Sequence, residues 1–495
     1  MEKIKLFNKS FVFIVVSLMY FLFLTNNSSL DSYAYAGYVK YNHYLFTPHH
    51  LFSNAFIYLL IYPFKSLGIH INILLFSKII NSFFQIINLL IFYRILSFLK
   101  INEKEKLLYV LGLAFSFSLW RFATENETYI IPIAFSLLGS FYFLKNFEEK
   151  KVIYIFLSSL FGAISCLFHQ IHFFWWFGIL IGFYIYNKNA KTIFQYIIPA
   201  LIVPISYVLV LILYEKQDIS IYNMIHFVFH DFFQGSVDTN FGWKGIFFQL
   251  LNSFRTFFQL HPNIYILIQK NWIYILPIII TLYLSVRLIG IVLKRESLTK
   301  KNNKLSLFTT IHLYIFIANY LFAFYNYGNI EFMVMLPYLL ALIIAVKYSI
   351  HPKLLSLLVG ILFIWNFSFA IFPNHYYSYY NDEVLVDYII ANPKKTFLIK
   401  NATALNHYFY KTGIDSPKRI ILYSKTNKEE LKNIMDKEGE LYTDIIDKPE
   451  IFNKEKMTST TNLHQFFDHY YKDVILTYKA LYGETTVYKI SKVKP

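Results

Sequence analysis

Eleven apolar stretches, each near the length that crosses a bilayer, recur between residues 11 and 372. They lie near 11–24, 72–98, 107–121, 129–144, 152–168, 173–186, 193–214, 271–293, 306–324, 332–346 and 354–372. A hydrocarbon core about 30 Å thick takes roughly 17–25 helical residues to span, and every backbone N–H and C=O inside it must find a partner without water. Only 15% of the residues are charged, against about a quarter in a soluble chain. The expected architecture is an all-α polytopic membrane domain of about eleven transmembrane helices over residues 1–372. Residues 373–495 follow as a small soluble α/β domain.

The formal net charge of +16 invites a nucleic-acid reading, but the lysines sit in short loops between apolar runs, as topology signals do. With the N-terminus placed in the cytoplasm, the inside loops 1–10, 100–106, 145–151, 187–191, 294–304 and 347–353 carry eighteen Lys or Arg. The outside loops 25–71, 121–128, 169–172, 215–270 and 325–331 carry seven over a longer length. This bias predicts a multi-pass protein of the cytoplasmic (inner) membrane, N-terminus inside and C-terminal domain extracytoplasmic. The N-terminal lysines, the first apolar run and Ala34-Tyr35-Ala36 also fit a cleaved signal peptide, although that cleavage site lies twelve residues beyond Leu24. The single cysteine, Cys166, rules out an internal disulfide and reads as a small buried apolar residue.

Polar groups at membrane depth are costly and usually have a task, and four polar places fall on the outer side. The first is the loop after the first span, with Asp31, Lys40 and Pro48-His49-His50. Asp31 reads either as a helix N-cap or as a general base for a hydroxyl. The second is Trp120-Arg121-Phe122-Ala123-Thr124-Glu125-Asn126-Glu127-Thr128-Tyr129. It reads as a solvated capped turn, or as two carboxylates and an arginine held for chemistry. The third, His169-Gln170-Ile171-His172, places two histidines three apart, suited to phosphate contact, interfacial polarity or, with a third ligand, a metal. In the fourth, Tyr325 to Phe332, Glu331 opens an apolar segment, where a carboxylate also suits a helix N-terminus. The membrane part contains no Gly-rich phosphate loop or Walker lysine.

The order of these features resembles a known family. Leu30-Asp31-Ser32-Tyr33-Ala34-Tyr35-Ala36 is followed by Phe46-Thr47-Pro48-His49-His50-Leu51-Phe52, an apolar stretch at 55–64, Gly68 and the second span. This is similar to the start of GT-C-fold glycosyltransferases that use polyprenyl-phosphate-linked sugars, such as protein O-mannosyltransferases and lipid A aminoarabinose transferases. The likeness covers residues 11–145 best. It departs at Pro48-His49-His50, where members often carry His-Pro-Pro, and at Glu125 and Glu127, where Arg-x-Asp is usual.

The resemblance implies an inverting enzyme that moves a sugar from a polyprenyl-phosphate donor to a hydroxyl acceptor (protein, lipid or glycan) at the outer membrane face. Asp31, Glu125 and Glu127 are its candidate catalytic residues. Lys40, His49, His50, Arg121, His169, His172 and Glu331 are candidates for substrate and phosphate binding, with Arg255 and Lys270 as further cations. No metal ligands are assigned, no cofactor is called for, and a divalent metal is compatible with the carboxylates without being indicated. The segment 215–270, with His226, His230, Asp231, Asp238 and Trp243, reads as interfacial helices.

In the tail, 396–400 and 419–424 read as strands, 402–412 and 427–437 as helices, and 474–491 as a strand pair around Gly483-Glu484. It shows no catalytic constellation, and acceptor binding or packing fits it equally. The rival readings of the whole chain are a transporter or flippase of a lipid-linked or amphipathic substrate, and a non-catalytic membrane scaffold. Transporters usually set polar groups at the bilayer midplane on broken helices.

Overall fold

The computed structural model describes residues 2–233, 243–260, 263–293, 298–300, 306–325, 329–446 and 464–492. Among the described residues, seven helices are individually long and apolar enough to cross a membrane: Ile73–Phe98, Ile130–Glu149, Ala190–Leu213, Trp272–Leu293, Ser306–Phe324, Ile330–Lys347 and Pro352–Tyr376. A pair bent by 65°, Glu103–Ala114 and Phe117–Ala123, makes an eighth, and Lys9–Leu22 and Val152–Phe168 are shorter apolar helices. The segment expected at 173–186 is the helix Phe173–Asn187. All eleven expected segments are thus helical, and those that do not qualify alone are short or broken.

The chain divides into two compact units. The first comprises Met1–Leu24, Tyr44–Leu260 and Tyr274–Ile371; the second comprises Thr25–His43, His261–Ile273 and Phe372–Pro495.

In the first unit, helix starts follow local chemistry. Asn72 accepts from the Leu75 amide at 3.0 Å to open Ile73–Phe98, and Asn102 accepts from the Glu105 amide at 2.9 Å to open Glu103–Ala114. The break at Phe115-Ser116 frees backbone groups inside apolar surroundings, and neighbouring chain takes them up. The Phe117 and Ser118 amides donate to the carbonyls of Phe257 and Thr256 at 3.1 and 3.0 Å. Asn366 Nδ2 donates to Phe115 O at 2.8 Å and to Phe257 O at 2.7 Å. Deeper in the bundle, Trp175 Nε1 donates to Ser140 Oγ, which pairs with His312 Nε2, both at 2.8 Å, while His312 Nδ1 reaches Phe308 O at 2.8 Å. These bonds tie three helices together where apolar contact alone discriminates poorly against lipid.

One end of this unit gathers the loops expected inside. Leu298–Lys300 pairs antiparallel with Tyr348–Ile350, Ser349 Oγ reaches Glu105 Oε1 at 3.4 Å, and Tyr93 donates to Glu103 at 2.7 Å. Helices lead from there to the end that carries His49, Glu125, His169 and Glu331.

In the second unit, five strands among the described residues form one sheet in the order Ile420–Leu422, Phe397–Ile399, Glu440–Thr443, Gly483–Ser491, Tyr471–Ala480. The first three are parallel and the last two join antiparallel. Alternation sends Phe397 and Ile399 to one face, with Leu385, Val386 and Tyr408, and Leu398 to the other, with Leu431 and Met435. Helices Asp382–Ala391 and Ala402–Thr412 therefore cover one face and Lys428–Glu438 the other. The unit also contains the helix Leu30–Tyr41. Gly37 lies against Phe409, and a Cβ there would run into the Phe409 ring. The close approach explains why a glycine stands mid-helix.

Candidate active site

Helix Ile73–Phe98 buries a polar stripe inside an apolar span: Ser77, Lys78, Asn81, Ser82, Gln85 and Asn88. Their spacing of three and four residues puts them on one face. Asn81 Nδ2 donates to the carbonyls of Glu125 and Glu127, each at 2.7 Å, and Ser82 Oγ donates to Ala123 O at 2.8 Å. The stripe thereby holds the turn that follows the broken span, and places Lys78 Nζ 3.8 Å from Glu125 Oε1.

Arg121 reaches the same carboxylate from one turn back, Nη1 to Oε2 at 2.9 Å. Glu125 is fully buried and its Oε1 also accepts from the Asn126 amide at 3.0 Å. Glu127 is buried beside it. A buried carboxylate is tolerated when paired and hydrogen-bonded, and Glu125 has both kinds of partner. Of the two readings of this loop, the solvated turn is therefore incorrect: Thr124, Glu125, Asn126, Glu127 and Thr128 are all buried.

From the other side of the turn, Tyr129 donates to Glu331 Oε2 at 3.1 Å, and Asn329 Nδ2 donates to the same oxygen at 3.0 Å. Asn329 Oδ1 also accepts from the Glu331 amide, so Asn329 caps the turn Ile330–Met333 and Glu331 is its second residue. Residues 326–328 of the same motif lie outside the described residues.

The histidines converge next to Tyr129. The Tyr129 ring centroid lies 4.9 Å from that of His169, and the His169 ring lies 6.4 Å from His49 and 6.2 Å from His50. His49 and His50 are 4.0 Å apart, and Thr47 Oγ1 bonds His50 Nδ1 at 3.0 Å. Gln170 Nε2 donates to Pro48 O at 3.1 Å, which ties the two segments together. His172 turns away and bonds Ser136 Oγ through Nδ1 at 2.8 Å. Burial, then the neighbouring His49 and His169, hold His50 well below the ordinary histidine value. His169 is lowered by burial, then by His49 and His172, and His172 by burial to about 3. These rings are neutral near pH 7, donors and acceptors rather than cations. Among the described residues no group of three or more His, Cys, Asp or Glu side chains has a metal-holding arrangement.

Asp31 and Lys40 belong to the second unit. Asp31 is not the N-cap of its helix. Ser29 fills that role, its Oγ accepting from the Ser32 amide at 3.0 Å, and half-buried Asp31 stands in the first turn. Lys40 Nζ donates to Tyr410 O at 2.9 Å. Of the other cations, the Arg255 guanidinium lies over the Phe117 ring and Lys270 over Tyr377. Asp238 lies outside the described residues. The first unit thus brings together Arg121, Glu125, Glu127, His49, His50, His169 and Glu331, with His172 one turn off.

No family model matches the sequence, and no curated protein matches it. Solved structures do. ArnT from Cupriavidus metallidurans bound to undecaprenyl phosphate aligns over 98% of this chain and 98% of its own, with TM-score 0.54 and 8% sequence identity. The chain has the GT-C fold of ArnT. The same enzyme in the apo state aligns over the same share with TM-score 0.45.

Within this cluster, the residue that sequence reading missed is Lys78. Its signal was a lone cation in the otherwise uncharged run 72–92, on the face that also carries Asn81, Gln85 and Asn88.

Proposed function

We propose that the chain is an inverting glycosyltransferase that moves a sugar from a polyprenyl-phosphate donor to a hydroxyl acceptor at the outer face of the cytoplasmic membrane. The observation that carries this reading is the cluster of Lys78, Arg121 and Glu125, two cations on one buried carboxylate at the end of the membrane helices. Two cations held at a span end make a site in a place where charge is costly and usually has a task. An anionic headgroup on a lipid is the natural ligand for it, and the structural relative was solved with undecaprenyl phosphate.

In this reading the donor phosphate sits against Lys78 and Arg121, with His49, His50 and His169 as hydrogen-bond partners. Asp31 takes the proton of the acceptor hydroxyl as its oxygen attacks the anomeric carbon. The bond from that carbon to the phosphate oxygen breaks, and the electron pair leaves with the lipid phosphate. The charge that develops there meets cations fixed beforehand by Glu125 and Asn81. Glu127 and Glu331 orient the acceptor, His172 fixes the histidine turn, and Lys40 stays a structural partner of Tyr410. The orientation that suits this chemistry has the N-terminus cytoplasmic and the second unit outside.

The test is transfer of label from a panel of radiolabelled sugar-charged undecaprenyl phosphates to membrane glycans, by wild type and Asp31→Asn in nanodiscs. Transfer with inverted anomeric configuration that collapses in the variant supports the reading. Unchanged transfer in the variant removes Asp31 as base, and no transfer with any donor removes the enzyme reading.

One observation favours a second reading, a transporter of a lipid-linked substrate. Gln85 and Asn88 are fully buried in the middle of the Ile73–Phe98 span, at the depth where transporters bind.

A further inference from the structure

The helix that carries Asp31 is seated on a helix of the soluble sheet. Asn406 Nδ2 donates to Leu30 O, the carbonyl next to Asp31, at 3.0 Å. The Tyr33 ring stacks on His407 with centroids 4.2 Å apart and planes 13° from parallel. Further along, Gly37 lets Phe409 close against the backbone, and Tyr38 and Tyr41 flank the same ring. At the far end Lys40 Nζ and Tyr41 Oη donate to the last carbonyls of Ala402–Thr412, Tyr410 O at 2.9 Å and Lys411 O at 3.0 Å.

These contacts have a direction. The bonds from Lys40 and Tyr41 satisfy orphan carbonyls at a helix C-terminus, which is ordinary capping. The Asn406 bond and the Tyr33–His407 stack do something else, because they act on the first turn of Leu30–Tyr41. Leu30 O accepts within the helix and from Asn406 together, so the first turn is held in place as well as in register. Tyr33 is two residues from Asp31, and a helix rotation that swung Asp31 would slide its ring off His407.

We infer that Asn406 and His407 are positioning residues that fix the direction of the Asp31 carboxylate. The inference rests on the reading of Asp31 as the base. It assigns the sheet of the second unit a part in the reaction: the helix Ala402–Thr412 is the mount for Asp31. His407 is buried and held neutral, near pKa 4, by burial and then Lys411, with Glu383 and Asp387 opposing. A neutral ring stacks without placing a charge beside Asp31. Misplacement of a reacting group by an ångström costs on the order of a hundredfold in rate, so loosening this mount appears in kcat rather than in donor KM.

The experiment measures transfer from sugar-charged undecaprenyl phosphate, and amide exchange of residues 34–38, in full-length protein in nanodiscs. The variants are Asn406→Ala, His407→Ala, His407→Phe, Asp31→Asn and Asp31→Asn/His407→Ala. Asn406 is half-buried, and unchanged exchange of strands 397–399 and 440–443 checks that every variant keeps the fold. The expected result is a loss of kcat of roughly tenfold or more in both alanine variants at unchanged donor KM. Exchange at 34–38 is faster by a similar factor. His407→Phe, which keeps a ring, restores both, and His407→Ala adds nothing to the loss in Asp31→Asn.

Wild-type kcat and exchange in both alanine variants, with Asp31→Asn inactive, overturn the inference and leave the functional reading standing. Additive loss in the double variant overturns it too, because the effect then does not pass through Asp31. Full activity of Asp31→Asn removes the base and the inference together. Unchanged exchange at 34–38 in the alanine variants overturns it even where no donor turns over.

Discussion

Arg121 Nη1 stands 2.9 Å from Glu125 Oε2, and the two residues are one helical turn apart on a chain that leaves its helix between them. The geometry depends on the break at Phe115-Ser116, which lets a short helix end beside Lys78 instead of continuing across the bundle. Two cations then share one buried carboxylate, and the carboxylate is what keeps them together.

Replacing Glu125 with Gln removes the carboxylate that Lys78 and Arg121 share. Breaking a buried ion pair by removing one partner costs about 3–5 kcal/mol. Thermal unfolding in nanodiscs is expected to fall accordingly, and adding Lys78→Met to Glu125→Gln to recover part of the loss. Equal melting of Glu125→Gln and wild type contradicts this account of the cluster.

The pH dependence of the second unit follows from His407. Its folded value near 4 lies below the ordinary 6.5, so between these limits the unfolded chain binds a proton that the folded unit excludes. Stability is complete above about pH 6.5, falls as pH drops, and the loss is complete near pH 4, at up to about 3 kcal/mol. Amide exchange of Ala402–Thr412 across that window is expected to quicken in wild type and to stay flat in His407→Phe. A flat wild-type profile shows that His407 is not held neutral.

A side chain at position 37 has nowhere to go but into the Phe409 ring. Gly37→Val is expected to destabilise the second unit by about 1–3 kcal/mol, the usual cost of overpacking. Phe409→Leu in the same chain returns most of it. Limited proteolysis in the second unit reads both, and a Gly37→Val chain as resistant as wild type refutes the close packing.

Much of the architecture was legible because it is periodic. The spans are long apolar runs, and the tail strands alternate at Phe397-Leu398-Ile399 as a two-sided sheet requires. The outer-end motifs were legible as oddities: Glu125 and Glu127 in a loop unlike the Lys- and Asn-rich ones, and His169 beside His172. Their assembly was not. Tyr129 meets Glu331 across 202 positions and Ser140 meets His312 across 172, and helix periodicity says which face a residue takes but not which helix it meets. Lys78 escaped notice because attention to loop ends passes over a cation inside a span. The membership of Thr25–His43 in the second unit has no local signal either, since its evidence is a contact between Gly37 and Phe409, far apart in sequence.

In the proposed reaction Lys78 and Arg121 hold a lipid phosphate. The most direct measurement is the affinity of wild type and Lys78→Met in nanodiscs for undecaprenyl phosphate, with undecaprenol as the uncharged control. Wild type is expected to bind the phosphate and to discriminate against the alcohol. Lys78→Met should weaken phosphate binding about tenfold or more, since a hydrogen bond to a charged group contributes about 1.5–3 kcal/mol, and leave the alcohol unaffected. Equal binding of phosphate and alcohol by wild type, or unchanged phosphate binding in Lys78→Met, would contradict it.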